Sequence, residues 1–304
     1  MPRGVVIRNA LVRGFTRLLI WLARLLPPAA LLPVARGTAW LAWHFYPRIQ
    51  HVAMRNLEIA FGDELSQAER RALARRCARE IATAALEFIY FTHWPGERVR
   101  KLVKETDGWE FLEDALTQGK GVLGLAMHFG NWEMSGAYLA LSGAPLAAVG
   151  KEQRDDFFTK LAFPTREKLG IENIPSGKMG SAMLRALREN KVLGLLADQN
   201  GGADGMFVPF FGTPASTARG PAVLHLRLGT PMLLIVAKRL KPFEFKLIVR
   251  PVKCSVSDKG EEAEHAVLAA MNRAYEQIIR EAPEQWLWIH RRWKTRPPGE
   301  KPLY

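Results

Sequence analysis

The chain has 304 residues, of which 48% are hydrophobic, and it carries a formal net charge of +13 with a pI near 10.0. This length can bury a full core as one large domain or two small ones, and the charge favours anionic partners such as phospholipid headgroups, nucleic acid, a phosphorylated substrate or an acidic protein. The two cysteines, Cys77 and Cys254, are too far apart in sequence for a metal or redox motif, and they suit a reducing, cytosolic compartment.

The first 57 residues are both basic and apolar, with eight arginines and no lysine, aspartate or glutamate. Two arginines and three prolines interrupt the apolar stretch before it reaches the roughly 18 residues expected of a plain spanning helix. Tryptophan and tyrosine suit the headgroup boundary, and arginine can extend towards lipid phosphates. We therefore expect residues 1–57 to form a membrane-associating helical segment that lies in the interface. A signal peptide and a nucleic-acid-binding arm are the rival interpretations.

Beyond this segment, residues 66–92 show a helical pattern in which Ser66 and Glu69 form a capping box. Apolar runs then alternate with helical patterns, which favours an α/β sandwich with a largely parallel central sheet. Ligands of such sheets bind at the carboxyl ends of the strands, where His128 and Asp198 are both predicted to lie. The strands are predicted at residues 121–127, 145–150, 191–197, 231–238 and 244–252. The helices are predicted at residues 109–118, 132–141, 156–169, 178–189, 217–228 and 261–281.

The most informative motif follows the first of these strands, where His128 precedes a glycine-containing corner and Glu133 comes five residues later. Asn131 is suited to cap the helix that begins at Trp132. On one continuous helix, residues five apart would point about 140° away from each other, but a strand–turn–helix corner removes that objection. Glu133 can then bind one imidazole nitrogen and leave the other free as a general base. A helix-dipole role for Glu133 and a purely structural histidine are the alternatives.

A second informative run, residues 198–220, combines a strand end, a Gly/Asp loop, an apolar patch and a cap-like Ser/Thr pair before Arg219. One interpretation is a substrate wall, with Phe210 and Phe211 beside an acyl or sugar group and Arg219 reaching an anion. The other is a surface loop with a packed aromatic tip. Arg154, in a charged turn after another predicted strand, either enters the same cleft or is solvated.

Other short motifs give little support to nucleotide or metal chemistry. Residues 119–124 match the dinucleotide fingerprint in letters, but they precede a strand where the mechanism requires them to follow one. A phosphate loop, a nucleophile elbow and an HExxH motif do not occur in the sequence. The seven histidines are scattered, so neither a metal nor a cofactor is expected. The aromatic and basic tail, residues 286–296, suits a membrane–water boundary better than base stacking.

Taken together, several segments resemble the lysophospholipid and lipid A acyltransferase family, and in particular the late acyltransferases of lipid A. The matching residues are 55–61, 128–133, 197–199, 209–212 with Thr217 and Arg219, and 288–297. The resemblance implies a glycerolipid-acyltransferase-like sandwich, with residues 58–304 as the acyltransferase domain. It also implies an enzyme of the bacterial inner membrane that works on the cytoplasmic side. Such an enzyme moves a fatty acyl chain from acyl carrier protein, or from a similar thioester, to a hydroxyl of a lipid A precursor or related glycolipid.

The roles of individual residues follow from the same resemblance. A His128–Glu133 dyad is implied, in which Glu133 fixes the imidazole tautomer and His128 takes the proton of the acceptor hydroxyl. Backbone N–H groups at the corner are further oxyanion donors, and no metal or cofactor is required. The candidates for substrate binding or oxyanion stabilisation are Asn131, Arg154, Asp198, Gln199, Phe210, Gly212, Thr217 and Arg219.

Alternatives remain open at this stage. The acceptor could be another lysolipid or glycolipid, the histidine and the acid could activate water in a hydrolase, or the protein could be a non-catalytic membrane-peripheral lipid-binding protein. The expected partners are the acidic acyl carrier protein, an anionic lipid or glycolipid acceptor and the membrane, without nucleic acid.

Overall fold

The middle of the central sheet is built from strands that are apolar on both faces. A computed structural model of the chain describes residues 21, 24–150, 157–175, 179–254 and 260–304. Its main sheet has seven strands in the order β1-β9-β8-β2-β5-β3-β4, and β6 and β7 form a separate two-stranded sheet. The strands are β1 (Val103–Asp107), β2 (Val122–Ala126), β3 (Leu146–Gly150), β4 (Ile171–Pro175), β5 (Val192–Leu196), β6 (Met206–Phe210), β7 (Thr213–Thr217), β8 (Met232–Lys241) and β9 (Glu244–Pro251).

Neighbouring strands of the seven-stranded sheet are parallel, except for the antiparallel pair β8–β9. Helices accompany the strands along the chain, so the predicted α/β architecture with a largely parallel sheet is confirmed. The helices are α1 (Leu31–Phe45), α2 (Pro47–Phe61), α3 (Gln67–Phe91), α4 (Gly96–Arg100), α5 (Trp109–Thr117), α6 (Trp132–Leu141), α7 (Phe157–Lys168), α8 (Met179–Arg188), α9 (Gly220–Leu228) and α10 (Glu261–Glu281).

The centre of the sheet is formed by two strands of nearly identical pattern, β2 and β5. Each reads Val-Leu-Gly-Leu followed by Ala or Leu, and they pair in parallel register from Val122 with Val192 to Ala126 with Leu196. Continuous apolar runs of this kind are typical of strands that are covered on both faces. Because the two strands pair residue for residue without a bulge, the residues that follow them also lie beside each other.

Alternate residues of these strands contribute to two different hydrophobic clusters, as the two-residue side-chain period requires. Leu123 and Leu193 pack in the larger cluster, which also contains α10. Val122 and Val192 pack in a cluster with residues of α5 and α6. Helices therefore cover both faces of the sheet, and its edge at the carboxyl ends of β2 and β5 is the place where polar side chains gather.

The structure differs from the sequence prediction mainly at sheet edges. β1 and β4 were not predicted because their polar residues hide the strand pattern, and both lie at the edges of the seven-stranded sheet. Residues 206–217, interpreted as a loop with an apolar patch, form the β6–β7 hairpin. The helix predicted from residue 217 begins at Gly220, since Thr217 ends β7.

The N-terminal segment is described only in part, because residues 1–20, 22 and 23 lie outside the described ranges. α1 packs against α3, and α2 contributes Ala53, Leu57 and Phe61 to the larger core cluster. The predicted boundary between residues 57 and 58 falls inside α2. None of the helices within the described ranges combines the length and the hydropathy needed to cross a bilayer.

Candidate active site

The site is centred on His128 and Asp198, which follow β2 and β5 at the same edge of the sheet. The Nδ1 atom of His128 lies 2.8 Å from Asp198 Oδ1, and the His128 backbone N–H donates to Asp198 Oδ2 at 2.9 Å. The indole N–H of Trp286 also donates to Oδ2, at 2.9 Å. The Asp198 carboxylate thus accepts three hydrogen bonds while its side chain is only 1% exposed, which satisfies a group that would otherwise be costly to bury.

This pairing selects the imidazole tautomer. With its Nδ1–H directed to Asp198, His128 presents the lone pair of Nε2, which is the arrangement of a general base with an orienting carboxylate. The side-chain amide of Gln199 lies next to that atom, with 3.4 Å between Gln199 Nε2 and His128 Nε2. The His128 side chain is 17% exposed, so a reactant can reach Nε2 while Nδ1 stays covered.

The pKa values of the pair shift in opposite directions. Burial by itself lowers the pKa of His128, but attraction to Asp198, the hydrogen bond to it and a smaller attraction to Glu133 raise the pKa above its usual 6.5. Burial raises the pKa of Asp198, but His128 and the other donors outweigh it and lower that pKa. Asp198 is therefore ionised, and His128 has a strengthened affinity for a proton.

Glu133 does not form the predicted hydrogen bond with His128 and is bound by Arg166 on α7. The guanidinium of Arg166 makes a two-point contact with the carboxylate, with Nε at 2.9 Å and Nη2 at 2.6 Å from its oxygens. Both side chains are largely buried. The cause is geometric. The residues after β2 and β5 continue the pairing of the two strands, so Asp198 lies beside His128 and binds its imidazole in place of Glu133.

The corner that joins β2 to α6 is held tightly against β8. Gly130 has a φ of +57°, and a Cβ atom at this position would lie 2.1 Å from the carbonyl oxygen of Ala237, so only glycine fits. Asn131 caps α6 as predicted, because its Oδ1 accepts the N–H of Met134 at 3.1 Å. Its Nδ2 donates to Glu87 on α3 at 2.9 Å.

The predicted oxyanion role of the corner stays a prediction, although residues 128–131 use their donors within the protein. The backbone N–H groups of residues 128–131 already donate to other atoms of the protein, and the amide of Asn131 is used by Glu87 and by the helix cap. The four backbone acceptors are Asp198 Oδ2 and the carbonyl oxygens of Met127, Gln285 and Ala237. Among the described residues, Gln199 is a predicted candidate whose side-chain donor contacts His128 Nε2.

An apolar cavity of about 60 Å³ lies between the sheet and α6. Three glycines make room for it: Gly124 and Gly194 are paired neighbours on β2 and β5, and Gly136 faces them from α6. Trp132 and the Glu133–Arg166 pair also line the cavity. Trp132 connects the cavity with the site, because it lines the cavity and its ring centroid is 5.1 Å from that of His128.

Most residues of the predicted substrate wall do not line this cavity. Phe210 is fully buried and packs against Trp286 and Trp293, so it belongs to the core. Gly212 has a positive φ in the tight turn between β6 and β7. Two further candidates, Thr217 and Arg219, are occupied by other side chains. Thr217 accepts from the buried Arg292 at 2.7 Å, and the half-exposed Arg219 binds Glu264 at 2.7 Å. Arg154 lies outside the described residues.

Sequence reasoning missed two residues of the site, Arg166 and the Asp198 ligand Trp286. No local pattern marks Arg166, and the aromatic and basic composition of the tail that contains Trp286 indicates a membrane boundary instead of a site residue. A second histidine near Asp198, His290, accepts the N–H of Asn200 through Nε2 at 3.1 Å, and burial lowers its pKa to about 4. His290 is therefore neutral and holds the loop after β5. Among the described residues, no group of three or more His, Cys, Asp or Glu side chains is arranged to hold a metal ion.

An α/β sandwich with a carboxylate-bound histidine beside an apolar cavity suits transfer chemistry on a lipid, and comparison with known proteins agrees. Residues 9–295 match the family described as bacterial lipid A biosynthesis acyltransferase, so the chain belongs to that family and is an acyltransferase. The family resemblance read from the sequence is confirmed.

Three relatives illustrate the range of the family. The chain is 30% identical over 290 residues to a lipid A biosynthesis palmitoleoyltransferase of Escherichia coli (strain K12). The aligned residues cover 94% of this chain and 92% of the relative. This chain is 28% identical over 288 residues to a lipid A biosynthesis lauroyltransferase of the same organism, with the same two shares. A phosphatidylinositol mannoside acyltransferase of Mycobacterium tuberculosis (strain CDC 1551 / Oshkosh) is 30% identical over 142 residues, 44% of this chain and 45% of its own.

Proposed function

We propose that this acyltransferase moves a fatty acyl chain from acyl carrier protein to a hydroxyl group of a lipid A precursor or a related glycolipid. The observation that carries the proposal is the His128–Asp198 pair at the edge of an apolar cavity, since it joins a general base to a place for a hydrocarbon chain. Two relatives named as lipid A palmitoleoyl- and lauroyltransferases support the acceptor class. The net charge of +13 suits both an acidic carrier protein and an acceptor with phosphate groups.

In the proposed reaction, His128 Nε2 takes the proton of the acceptor hydroxyl while the hydroxyl oxygen attacks the carbonyl carbon of the thioester. The carbonyl oxygen becomes negatively charged, and the Gln199 amide beside Nε2 donates a hydrogen bond to it. The C–S bond then breaks, and the leaving thiolate takes the proton back from the imidazolium. An ester and a free thiol are formed, and no protein nucleophile or cofactor takes part.

Asp198 takes the role that the sequence assigned to Glu133. It holds the Nδ1–H tautomer and stabilises the imidazolium that forms during the attack, since its carboxylate is only 2.8 Å from Nδ1. Glu133 acts at longer range, because its own carboxylate is bound by Arg166. In this proposal the Glu133–Arg166 pair joins α6 to α7 beside the cavity that receives the acyl chain.

Membrane association is proposed to involve α1. Trp40, Phe45 and Tyr46 are more than half exposed, which is unusual for large aromatic side chains, and Arg36 is exposed on the same helix. Aromatic and basic side chains together suit the headgroup region of an inner membrane, at the cytoplasmic face where acyl carrier protein is found. Flotation with anionic vesicles tests this: Trp40→Ser combined with Phe45→Ser should reduce vesicle binding in high salt. Unchanged binding would contradict a role for α1.

The chemistry itself is tested by supplying a radiolabelled acyl thioester of acyl carrier protein with and without a lipid A precursor. Label that moves to the lipid only when the protein is present supports the proposal. Release of free fatty acid at the same rate with and without acceptor would instead indicate a hydrolase. Binding of the lipid with no turnover of the thioester would indicate a lipid-binding protein.

The Gln199 assignment needs a separate variant. Gln199→Ala should lower kcat by about 10²–10³-fold, the usual cost of removing one oxyanion donor. Asn190→Ala is a suitable comparison, because Asn190 is an amide side chain that bonds the backbone of Gly121 and Leu116 on the opposite edge of the sheet. Equal effects of the two substitutions on kcat would contradict a direct role for Gln199.

A further inference from the structure

The corner after β2 rests on a buried ion pair between Glu87 on α3 and Arg239 on β8. Arg239 Nη2 donates to Glu87 Oε2 at 2.7 Å and Arg239 Nε to Glu87 Oε1 at 3.0 Å. Glu87 is fully buried, and Arg239 is 5% exposed. A second carboxylate, that of Glu80, also accepts from Arg239. The two elements that carry the pair are far apart in sequence and meet at the back of the corner.

Both members of the pair bind the corner directly. The Asn131 amide donates to Glu87 Oε2 at 2.9 Å, and Arg239 Nη2 approaches the carbonyl oxygen of Gly130 at 3.4 Å. The main chain of Arg239 is tied to the side chain of Gln285 by two further hydrogen bonds, at 2.8 and 2.9 Å. The carbonyl of Gln285 in turn accepts the N–H of Gly130 at 2.9 Å.

The ion pair by itself is a weak source of stability. Removing two ions from water costs several kcal/mol each as an order of magnitude, and apolar side chains of similar volume often serve the fold as well or better. An apolar pair, however, would leave the Asn131 amide and the Gly130 carbonyl buried without these partners, which is costly in its own right. The charges are therefore explained by the polar groups that they bind, which are those of the corner and the backbone N–H of Phe243, a donor to Glu87 Oε1 at 3.0 Å.

We propose that Glu87 and Arg239 are positioning residues for catalysis, which fix the corner and thereby the distance between His128 Nε2 and the acyl carbonyl. The inference rests on the proposed function, because it assigns the pair a task in the same reaction. Glu87 locks Asn131, and with it the first turn of α6, while Arg239 locks the Gly130 peptide. A displacement of about 1 Å at the reacting atoms can cost about 10²-fold in rate.

An exchange of the amide and the carboxylate tests this coupling. In Glu87→Gln, an amide at position 87 faces the Asn131 amide, and in Asn131→Asp two carboxylates face each other. In the double variant the two groups have changed places, so the hydrogen bond between positions 87 and 131 and the net charge beside Arg239 are restored, and aspartate caps a helix as well as asparagine does. The position of Glu87 Oε2, which accepts from both Asn131 and Arg239 Nη2, then carries an amide donor, so the bond to Arg239 Nη2 is not restored. We expect kcat to fall by about 10²-fold in each single variant, with the KM for the acyl donor unchanged, and to recover in part in the double variant.

The control is Asn272→Ala, which removes another fully buried amide bond, to the Pro209 carbonyl, remote from the corner. It should lower the melting temperature without changing kcat. Full kcat in folded Glu87→Gln, or a double variant that recovers its melting temperature and not its kcat, overturns the proposal. If Glu87→Gln does not fold, Arg239→Lys replaces it, and an unchanged kcat there is equally decisive.

Hydrogen exchange separates this inference from the proposed function. A wild-type protein that transfers no acyl chain contradicts the proposed function, whereas the corner can still be examined without turnover. Faster exchange of the backbone amides of residues 129–135 in Arg239→Lys, with β2 and β5 unchanged, supports the positioning role. Unchanged exchange at the corner contradicts it.

Discussion

The two sides of His128 hold their buried carboxylates by different means. On the β5 side, the other donor side chain at Asp198 is the neutral indole of Trp286, so the negative charge remains available to the imidazole. On the α6 side, Glu133 is bound at two points by the Arg166 guanidinium, which cancels most of its charge locally. Two carboxylates at similar depth therefore affect the same histidine unequally, because their other ligands differ in charge.

The two sides also differ in packing. The Asp198 side is filled by large aromatic residues, among them Trp286 and Tyr275, whose hydroxyl bonds the Ala126 carbonyl. The Glu133 side keeps an apolar cavity, because glycines occupy the facing positions of β2, β5 and α6. Under the proposed function, proton transfer takes place on the filled side and the hydrocarbon chain enters the open side.

The largest expected effect comes from removing the base that the two sides share. His128→Ala should lower kcat by about 10²–10⁴-fold, because the acceptor hydroxyl loses its proton acceptor. His225→Ala is the matched control, since His225 is a partly buried histidine that bonds the Thr230 carbonyl on α9's C-terminal turn. Thioester-to-lipid transfer rates of both variants measure the difference, and a His128→Ala enzyme with more than about a tenth of wild-type activity would rule out its role as base.

The next largest effect is a loss of folding stability when the ion pair on the Glu133 side is broken. Glu133→Gln leaves the buried Arg166 without a compensating charge, which typically costs about 3–5 kcal/mol in the free energy of unfolding. Glu64→Gln breaks an exposed pair with Arg280 and should leave the denaturation midpoint nearly unchanged. Urea denaturation measures both variants. Equal denaturation midpoints for Glu133→Gln and Glu64→Gln would show that the Glu133–Arg166 pair does not stabilise the fold more than an exposed pair does.

The smallest effect concerns the cavity. Gly136→Leu should shift preference towards shorter acyl donors by about tenfold in kcat/KM, because a side chain there projects towards Ile171 and Leu146, both in the cavity wall. Gly180→Leu is the control on α8, since a Cβ at Gly180 meets no neighbouring atom. Competition between a short and a long acyl donor gives the ratio. An unchanged ratio would place the acyl chain elsewhere.

The strand, corner and helix around His128 could be predicted from the sequence, because an apolar run, glycine and the Asn131 cap all indicate the same local structure. That Asp198 lies at the carboxyl end of a strand could be predicted too, but its bond to His128 could not. Spacing along the chain places side chains at one edge, whereas the β2–β5 register decides which of them meet. The core position of Phe210 could not be predicted, because the Phe211-Gly212 pair that follows it forms a two-residue hairpin turn but resembles an ordinary loop in sequence.

The pH dependence of kcat/KM tests most directly whether Asp198 or Glu133 tunes the base. His128 must be unprotonated to act, so activity falls as the pH drops through its pKa, which lies above 6.5. Asp198→Asn removes the main interaction that raises this pKa, so the acidic limb should move to lower pH while kcat falls. Glu133→Gln should move the limb much less. A larger shift in Glu133→Gln than in Asp198→Asn would contradict the account and restore Glu133 as the partner of the base.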